Sequence, residues 1–297
     1  MSAIPQTLEV PRARWREYYE LCKPRVVMLI MFTAIIGMFL SVSGMPPLDR
    51  LILGSLGITL QAASAAAVNQ MLDRHVDARM ARTCGRPLVT GTLGMTQSAL
   101  FAAVLGVSGF AILWWGANPL TAWLTLFTLI GYAGVYTLYL KHATPQNIVI
   151  GGAAGAAPPV LGWVAITGNV DPQALLLFLI IFVWTPPHFW ALAIERHKEY
   201  AKVNIPMLPV THGLDFTRTQ VLLYTVLLIV VSVLPYVFGM SGWLYLTAAL
   251  IAGAVFLVYA WRLKFAPVPG LPMKTFGYSI VYLMLIFTAL LLDHYLV

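Results

Sequence analysis

The chain has 297 residues, of which 60% are hydrophobic and only 10% are charged, and its formal net charge is +7 at pH 7. Soluble domains carry roughly 25% charged residues, so this composition excludes an ordinary water-soluble globular protein. The positive charge does not indicate nucleic-acid binding, because basic residues also set membrane topology and attract anionic lipid headgroups.

Seven long stretches of the sequence contain no Asp, Glu, Lys or Arg: 26–48, 51–72, 87–140, 142–170, 172–194, 219–261 and 275–292. A helix that spans a bilayer needs about 20 consecutive apolar residues. Two of the stretches are about twice that length, and each has turn-forming residues near its middle, at 116–119 and 239–242. The sequence therefore predicts an all-α, polytopic membrane bundle of nine transmembrane helices.

The basic residues predict the orientation of these spans, because Lys and Arg accumulate in cytoplasmic loops. With the N-terminus inside, 17 of the 18 Lys and Arg residues fall in cytoplasmic segments, and only Arg50 falls outside. We expect residues 1–24 to form a cytoplasmic segment without a cleaved signal peptide, and residues 25–297 to form one transmembrane domain. Cys22 and Cys84 then lie on the cytoplasmic side, where thiols stay reduced.

The second predicted span ends in a stripe of polar side chains formed by Asn69, Asp73 and Asp77. Residues four apart on an α-helix differ by only about 40° around the axis, so the carboxylates share one face if the helix persists. Paired carboxylates suit a hard cation such as Mg²⁺, which usually keeps waters or phosphate oxygens as further ligands. Arg82 and Arg86 follow directly, and guanidinium groups pair well with phosphate. The stripe predicts a metal-diphosphate site, although an ordinary charged helix end has the same spacing.

The fifth predicted span contains residues 151–159, which are all Gly, Ala or Pro. Small side chains allow helices to approach closely in lipid, and they also leave space for a bulky ligand. Pro158 and Pro159 are expected to kink this helix and to release backbone carbonyl groups, which only protein or a cavity can satisfy. We expect the helix to line a cavity.

A second acidic pair, Glu195 and Glu199, has the same spacing where the sixth span ends, and Lys202 follows it. Two acidic faces on one side of the bundle are able to hold one metal-diphosphate group from two directions. A solvated helix end is the alternative interpretation of this pair.

Several segments together resemble a known family, the UbiA superfamily of intramembrane prenyltransferases. They are the stripe from Asn69 to Asp77, the segment Arg-Thr-Cys-Gly-Arg-Pro-Leu at 82–88, the segment 139–147 with its Gly-rich continuation, Trp-Thr-Pro-Pro-His-Phe-Trp at 184–190, and 204–210. The resemblance runs from about residue 23 to the C-terminus, and the last three segments favour a branch that farnesylates haem. One departure is Glu195 and Glu199, where the superfamily typically has two Asp residues.

The resemblance implies transfer of a farnesyl group from farnesyl diphosphate to a vinyl group of haem b, with addition of water, giving haem O and diphosphate. The resemblance implies that the Mg²⁺ ligands are Asp73, Asp77, Asn69, Glu195 and Glu199, and that Asn69 orients the other ligands. It implies that diphosphate contacts Arg82, Arg86, Lys141 and Lys202. The implied catalytic residues are Asn69, Asp73, Asp77 and Lys141. His188 and Trp184, inside the sixth span, are the candidate contacts of haem.

The resemblance also implies a setting: a bacterial inner membrane, an active site that faces the cytoplasm, membrane lipid as surroundings, and association with haem A synthase or terminal oxidase assembly. Two alternatives stay open from the residues themselves. One is prenylation of a different acceptor, such as an aromatic quinone precursor, which would use the same donor site. The other is a cation-coupled transporter, although such proteins generally place their ion sites near the bilayer midplane.

Overall fold

The computed structural model describes residues 15–296, and this part of the chain is helical throughout, without a β-strand. Ten helices form its framework: α1 (Trp15–Leu21), α2 (Pro24–Leu40), α3 (Leu48–Asp77), α4 (Met95–Gly116), α5 (Pro119–Ala143), α6 (Asn147–Thr167), α7 (Pro172–Glu195), α8 (Gly213–Val237), α9 (Trp243–Phe265) and α10 (Leu271–Leu296). Short helices at Pro87–Thr90, His197–Lys202 and Leu208–Thr211 lie in the connections. Most of the predicted N-terminal segment, including Arg12 and Arg14, lies outside the described residues.

Helices α3 to α10 are each long and apolar enough to cross a membrane. Helix α2 has 17 residues and joins α1 at a bend of 54°, and this bent pair, whose apolar part is α2, gives a ninth span. Within residues 15–296, the predicted all-α bundle of nine membrane helices is therefore confirmed. The division into a cytoplasmic segment of residues 1–24 and one transmembrane domain of residues 25–297 stays a prediction.

Both long apolar stretches are interrupted where the sequence predicted. Between α4 and α5, the Asn118 side chain accepts a hydrogen bond from the backbone N–H of Thr121 at 2.9 Å, which caps the start of α5. Between α8 and α9, the buried carboxylate of Asp293 accepts hydrogen bonds from the backbone N–H groups of Gly242 and Tyr245. A carboxylate from α10 thus stabilises the first turn of α9, whose N–H groups have no partner within the helix.

Two glycines allow α2 and α6 to pack with their backbones in contact. A Cβ atom added at Gly162 would lie 2.0 Å from the carbonyl oxygen of Ala34, and one added at Gly37 would lie 2.2 Å from that of Pro159. Helix α6 itself is interrupted at Ala157, directly before the two prolines. Close approach of helices is thus one use of the small residues in this region.

Helix α5 changes its geometry along its length, which the sequence analysis did not predict. It is α-helical over Pro119–Leu129, π-helical over Ile130–Leu140 and α-helical again over Lys141–Ala143. The largest apolar core lies elsewhere, mainly among α2, α6, α7, α8, α9 and α10. The π-helical part of α5 packs instead against α3 and α6, next to the polar end of α3.

We predict that Gly162→Ala destabilises the protein by about 1–3 kcal/mol, because a methyl group cannot be accommodated against the backbone of Ala34. The control is Gly155→Ala, where the added Cβ meets no atom within 4 Å. Thermal unfolding of the detergent-solubilised chain checks this. The melting temperature should fall for Gly162→Ala and stay the same or rise slightly for Gly155→Ala, and equal melting temperatures would contradict the packing described.

Candidate active site

Helix α3 continues without a break through Asp77, so the predicted stripe of polar residues is a single face of one helix. Asn69, Asp73 and Asp77 are all buried, with 4%, 6% and 4% of their surface exposed. Burying a carboxylate is costly unless it is paired and hydrogen-bonded. The partners of these three side chains therefore define the site.

Each carboxylate is paired with a cation from a different segment. The Lys141 ammonium, at the end of the π-helical part of α5, lies 2.7 Å from Asp73. Arg86 forms an ion pair with Asp77. The connection after α3 turns back to make this possible, and the Thr83 hydroxyl donates to the backbone carbonyl of Asp77 at 3.1 Å in the same turn.

Asn69 links the carboxylates to the rest of the site. Its amide nitrogen donates to the Asp73 carboxylate and to the Thr137 hydroxyl, each at 3.0 Å, while its oxygen accepts a hydrogen bond from the Lys23 ammonium. Because its only oxygen is used by Lys23, Asn69 is better suited to orient Asp73 than to ligate a metal. Thr137 and Lys23 were not predicted from the sequence as site residues.

Lys23 reaches the site because the chain changes direction between α1 and α2. Its backbone is in the left-handed region, with φ at 50°, and it directly precedes Pro24. Such a conformation is uncommon for a residue with a side chain and is found at functional sites. Burial, together with the positive charge of Arg86, lowers the pKa of the Lys23 ammonium to about 7, against the opposing effect of Asp73 and Asp77. A basic residue before Pro at the start of the first span is the sequence signal that could have indicated this role.

The donor set at the end of α3 fits a magnesium ion that shares its ligands with a substrate. Asp73 and Asp77 supply two carboxylates on one face, and Mg²⁺ usually binds one or two carboxylates together with waters and substrate phosphates. Residues 15–296 contain no cluster of three Asp, Glu, His or Cys side chains close enough to hold a metal by themselves. A metal at this site would therefore depend on oxygen ligands from outside the protein.

The second acidic pair does not lie on one continuous helix, and its place in the metal site stays a prediction. Helix α7 ends at Glu195, and a new short helix begins at His197, because the chain leaves helical geometry at Arg196. Glu195 is exposed. Glu199 turns inward and forms an ion pair with Arg196 at 2.6 Å.

One oxygen of Glu199 is buried and has no hydrogen-bond partner among residues 15–296. A buried acceptor of this kind is suited to a donor, a water molecule or a cation. Next to it, burial raises the pKa of the Tyr200 hydroxyl, Arg82 opposes the rise, and Glu199 adds to it. Arg82 thus lies within electrostatic reach of the second motif, although its side chain is exposed. Lys202 is also exposed, and it forms no ion pair within the described part of the chain.

The two candidate haem contacts lie together in the interior, between α7 and α10. The His188 ring stacks on the Trp184 ring, with centroids 4.2 Å apart, and on the Phe276 ring at 4.4 Å. Its Nδ1 atom is 2.6 Å from the Ser279 hydroxyl oxygen, and Trp184 donates to the Ser279 backbone carbonyl at 2.7 Å. The histidine is therefore fixed in its orientation by both stacking and hydrogen bonding.

Comparison with known proteins identifies the family. A model of the UbiA prenyltransferase family matches residues 30–291. The chain belongs to the UbiA prenyltransferase family. Its relatives include the protein named protoheme IX farnesyltransferase in Methylococcus capsulatus, which is 63% identical over 283 residues that make up 95% of each chain. The protein of the same name in Hahella chejuensis is 60% identical over 284 residues, covering 96% of this chain and 95% of that one. The resemblance inferred from the sequence motifs is confirmed.

Solved structures show the same fold. A structure described for digeranylgeranylglyceryl phosphate synthase matches with a TM-score of 0.80 at 19% identity, covering 95% of this chain and 99% of that chain. A UbiA homologue from Archaeoglobus fulgidus, bound to GPP and Mg²⁺, matches with a TM-score of 0.64 at 18% identity, covering 92% of this chain and 99% of that chain. At such identities the likeness establishes the fold alone.

We predict that Lys23→Met raises the KM for a prenyl diphosphate roughly tenfold or more, because hydrogen bonds to charged groups contribute about 1.5–3 kcal/mol. The variant removes one positive charge from the site and leaves the Asn69 oxygen without its partner. Arg25→Met is the matched control, since Arg25 is two residues away and exposed. Initial rates at varied donor concentration check this, and an equal effect of both substitutions would contradict a role of Lys23 in the site.

Proposed function

We propose that this UbiA-family chain transfers the farnesyl group of farnesyl diphosphate to a vinyl group of haem b, producing haem O. The carbon–oxygen bond to diphosphate breaks, a carbon–carbon bond to the vinyl group forms, and water supplies a hydroxyl group and releases a proton. The acceptor follows from the names of the relatives, which match nearly the whole chain at 60% identity or more.

The observation that carries the chemistry is the cluster of buried, paired charges at the end of α3. Asp73 and Asp77 are surrounded by Lys141, Arg86 and, through Asn69, Lys23. Three cations against two carboxylates leave one net positive charge when all five are ionised. Diphosphate is strongly anionic, so such a site attracts it and neutralises the charge that develops as it leaves.

Mg²⁺ held by Asp73 and Asp77 would supply the additional positive charge that stabilises the departing diphosphate. The Archaeoglobus homologue, which binds Mg²⁺ together with GPP, supports this assignment. We assign to Lys141, Arg86 and Lys23 the neutralisation of phosphate oxygens, and to Asn69 the orientation of Asp73. The exposed Arg82 and Lys202 are assigned to the entry of the diphosphate rather than to its final position.

For the acceptor, we propose that haem contacts His188 and Trp184. An ionisable side chain inside a membrane helix is costly and marks a functional site by default. Stacking between Trp184 and Phe276 holds the imidazole in place before any ligand binds. A planar apolar porphyrin is a suitable neighbour for this group of aromatic rings.

We further propose that the site faces the cytoplasm of a bacterial inner membrane, with residues 1–24 also inside. The asymmetry of basic residues supports this, since 17 of 18 fall on one side of the predicted topology. Association with haem A synthase or with terminal oxidase assembly belongs to the same proposal. Cation-coupled transport is not favoured, because Asp73 and Asp77 lie at the end of α3 rather than near the bilayer midplane.

The proposal is tested by incubating the purified chain with farnesyl diphosphate, haem b and Mg²⁺, and identifying the product by mass spectrometry. We expect haem O, no product after Mg²⁺ is chelated, and a rate at least about a hundredfold lower for Asp73→Asn, which removes a carboxylate assigned to hold Mg²⁺. Normal membrane insertion of this variant is the control. Prenylation of 4-hydroxybenzoate with no reaction of haem would replace the proposed acceptor by an aromatic one.

The roles of the two glutamates are separable. We predict that Glu199→Gln lowers kcat/KM roughly tenfold or more, because a buried charge partner is lost, whereas Glu195→Gln has no effect beyond experimental error. The Mg²⁺ concentration that gives half-maximal rate should rise for Glu199→Gln alone. A larger effect of Glu195→Gln would contradict the placement of the two side chains described above.

A further inference from the structure

The π-helical segment Ile130–Leu140 of α5 carries the residues that face the carboxylates of α3. Eleven consecutive residues adopt this geometry, although π-helices are rare and usually consist of a single turn at a functional site. Inside it, the Thr137 hydroxyl donates to the backbone carbonyl of Tyr132, five residues earlier, at 2.9 Å. The same hydroxyl accepts from Asn69. The segment is therefore linked directly to the candidate active site.

Helical geometry decides whether Lys141 reaches that site. Tyr132 and Lys141 are nine residues apart, and at about 100° per residue an α-helix would place them on opposite sides. A π-helix bonds residue i to i+5 and holds roughly one residue more per turn, so nine residues complete about two turns. Tyr132 and Lys141 then share one face. The structure agrees, because Lys141 pairs with Asp73, and the Thr137 hydroxyl links the backbone carbonyl of Tyr132 to Asn69 on the same stripe of α3.

The segment has a buried side and an exposed side. Ala133 and Thr137 are buried, and the exposed large side chains are those of Ile130, Val135, Leu138 and Tyr139. The buried side is the one that contacts Asn69, through the Thr137 hydroxyl.

Contacts on the inner face hold this unusual geometry. The rings of Tyr132 and Tyr136 stack, with centroids 5.7 Å apart and planes 14° from parallel. Tyr136 lies so close to α6 that a Cβ atom added at Gly151 would be 2.3 Å from its ring. Gly151 is one of the small residues in the Gly-rich segment, so part of that segment accommodates the face that the π-helix presents.

We propose that the π-helical segment is the element that positions Lys141 for the reaction, and that Thr137 is a positioning residue that fixes its register. This inference rests on the proposed function, because it assigns to Lys141 a contact with diphosphate. It adds that one residue more or fewer in the segment rotates Lys141 by roughly a quarter of a turn about the helix axis, away from the carboxylates.

Deleting Leu138 tests the proposal, since its side chain is exposed and the deletion shortens the segment by one residue. We expect kcat/KM for farnesyl diphosphate to fall about tenfold or more, the effect of losing a hydrogen bond to a charged group. The thermal stabilisation of the chain by Mg²⁺ with inorganic diphosphate should be lost as well. Leu138→Ala, which keeps the length, should retain both. The same deletion with an alanine inserted directly before Lys141 restores the register and should recover both properties.

A deletion variant that behaves like Leu138→Ala would overturn the proposal, and so would failure of the inserted alanine to restore function in a chain with an unchanged melting temperature. Should the deletion prevent folding, Thr137→Val and Thr137→Ser decide. The first removes both hydrogen bonds and should lower kcat/KM, while the second keeps the hydroxyl and should not. Equal activity of these two variants also contradicts the proposal.

The diphosphate readout separates this proposal from the proposed function. If the wild-type chain is stabilised by Mg²⁺ with diphosphate but does not farnesylate haem, the proposed acceptor is wrong. The positioning role of the π-helix is then still decided by the stabilisation of the variants.

Discussion

The need to compensate two buried carboxylates organises the functional half of this molecule. Asp73 and Asp77 lie on one face at the end of α3, where 6% and 4% of their surface is exposed. Leaving either one charged and unpaired would cost several kcal/mol. Lys141 and Arg86 pair with them directly, and Lys23 is linked to Asp73 through Asn69. The bend before α2, the turn that returns Arg86 and the π-helical part of α5 bring these three cations together.

The same compensation is suited to exchange of partners. Lys141 and Arg86 neutralise the carboxylates directly. An incoming metal-diphosphate group would provide Mg²⁺ as a partner for the carboxylates and phosphate oxygens as partners for Lys141 and Arg86. Because each charged group exchanges one oppositely charged partner for another, the interior has no uncompensated charge at any stage. The apolar surroundings also keep bulk water away from a reactive allylic group, which favours transfer to the acceptor.

Much of this could be predicted from the sequence, because lipid imposes strong local rules. The apolar stretches and the breaks at 116–119 and 239–242 predicted the membrane helices. The spacing of Asn69, Asp73 and Asp77 predicted the polar stripe at the end of α3. Lys23 could not be assigned in the same way, because its position depends on the bend between α1 and α2. The interruption at Arg196 could not be predicted, because nothing in a spacing of four residues shows that the helix ends between Glu195 and Glu199. The π-helix was missed because an uninterrupted apolar stretch does not show which helical geometry the chain adopts.

The most direct test is a structure of the chain with Mg²⁺ and a non-hydrolysable farnesyl thiodiphosphate. We predict that the metal lies between Asp73 and Asp77, and that Lys141 and Arg86 have left these carboxylates for phosphate oxygens. A complex in which both ion pairs persist and the diphosphate binds elsewhere would contradict it.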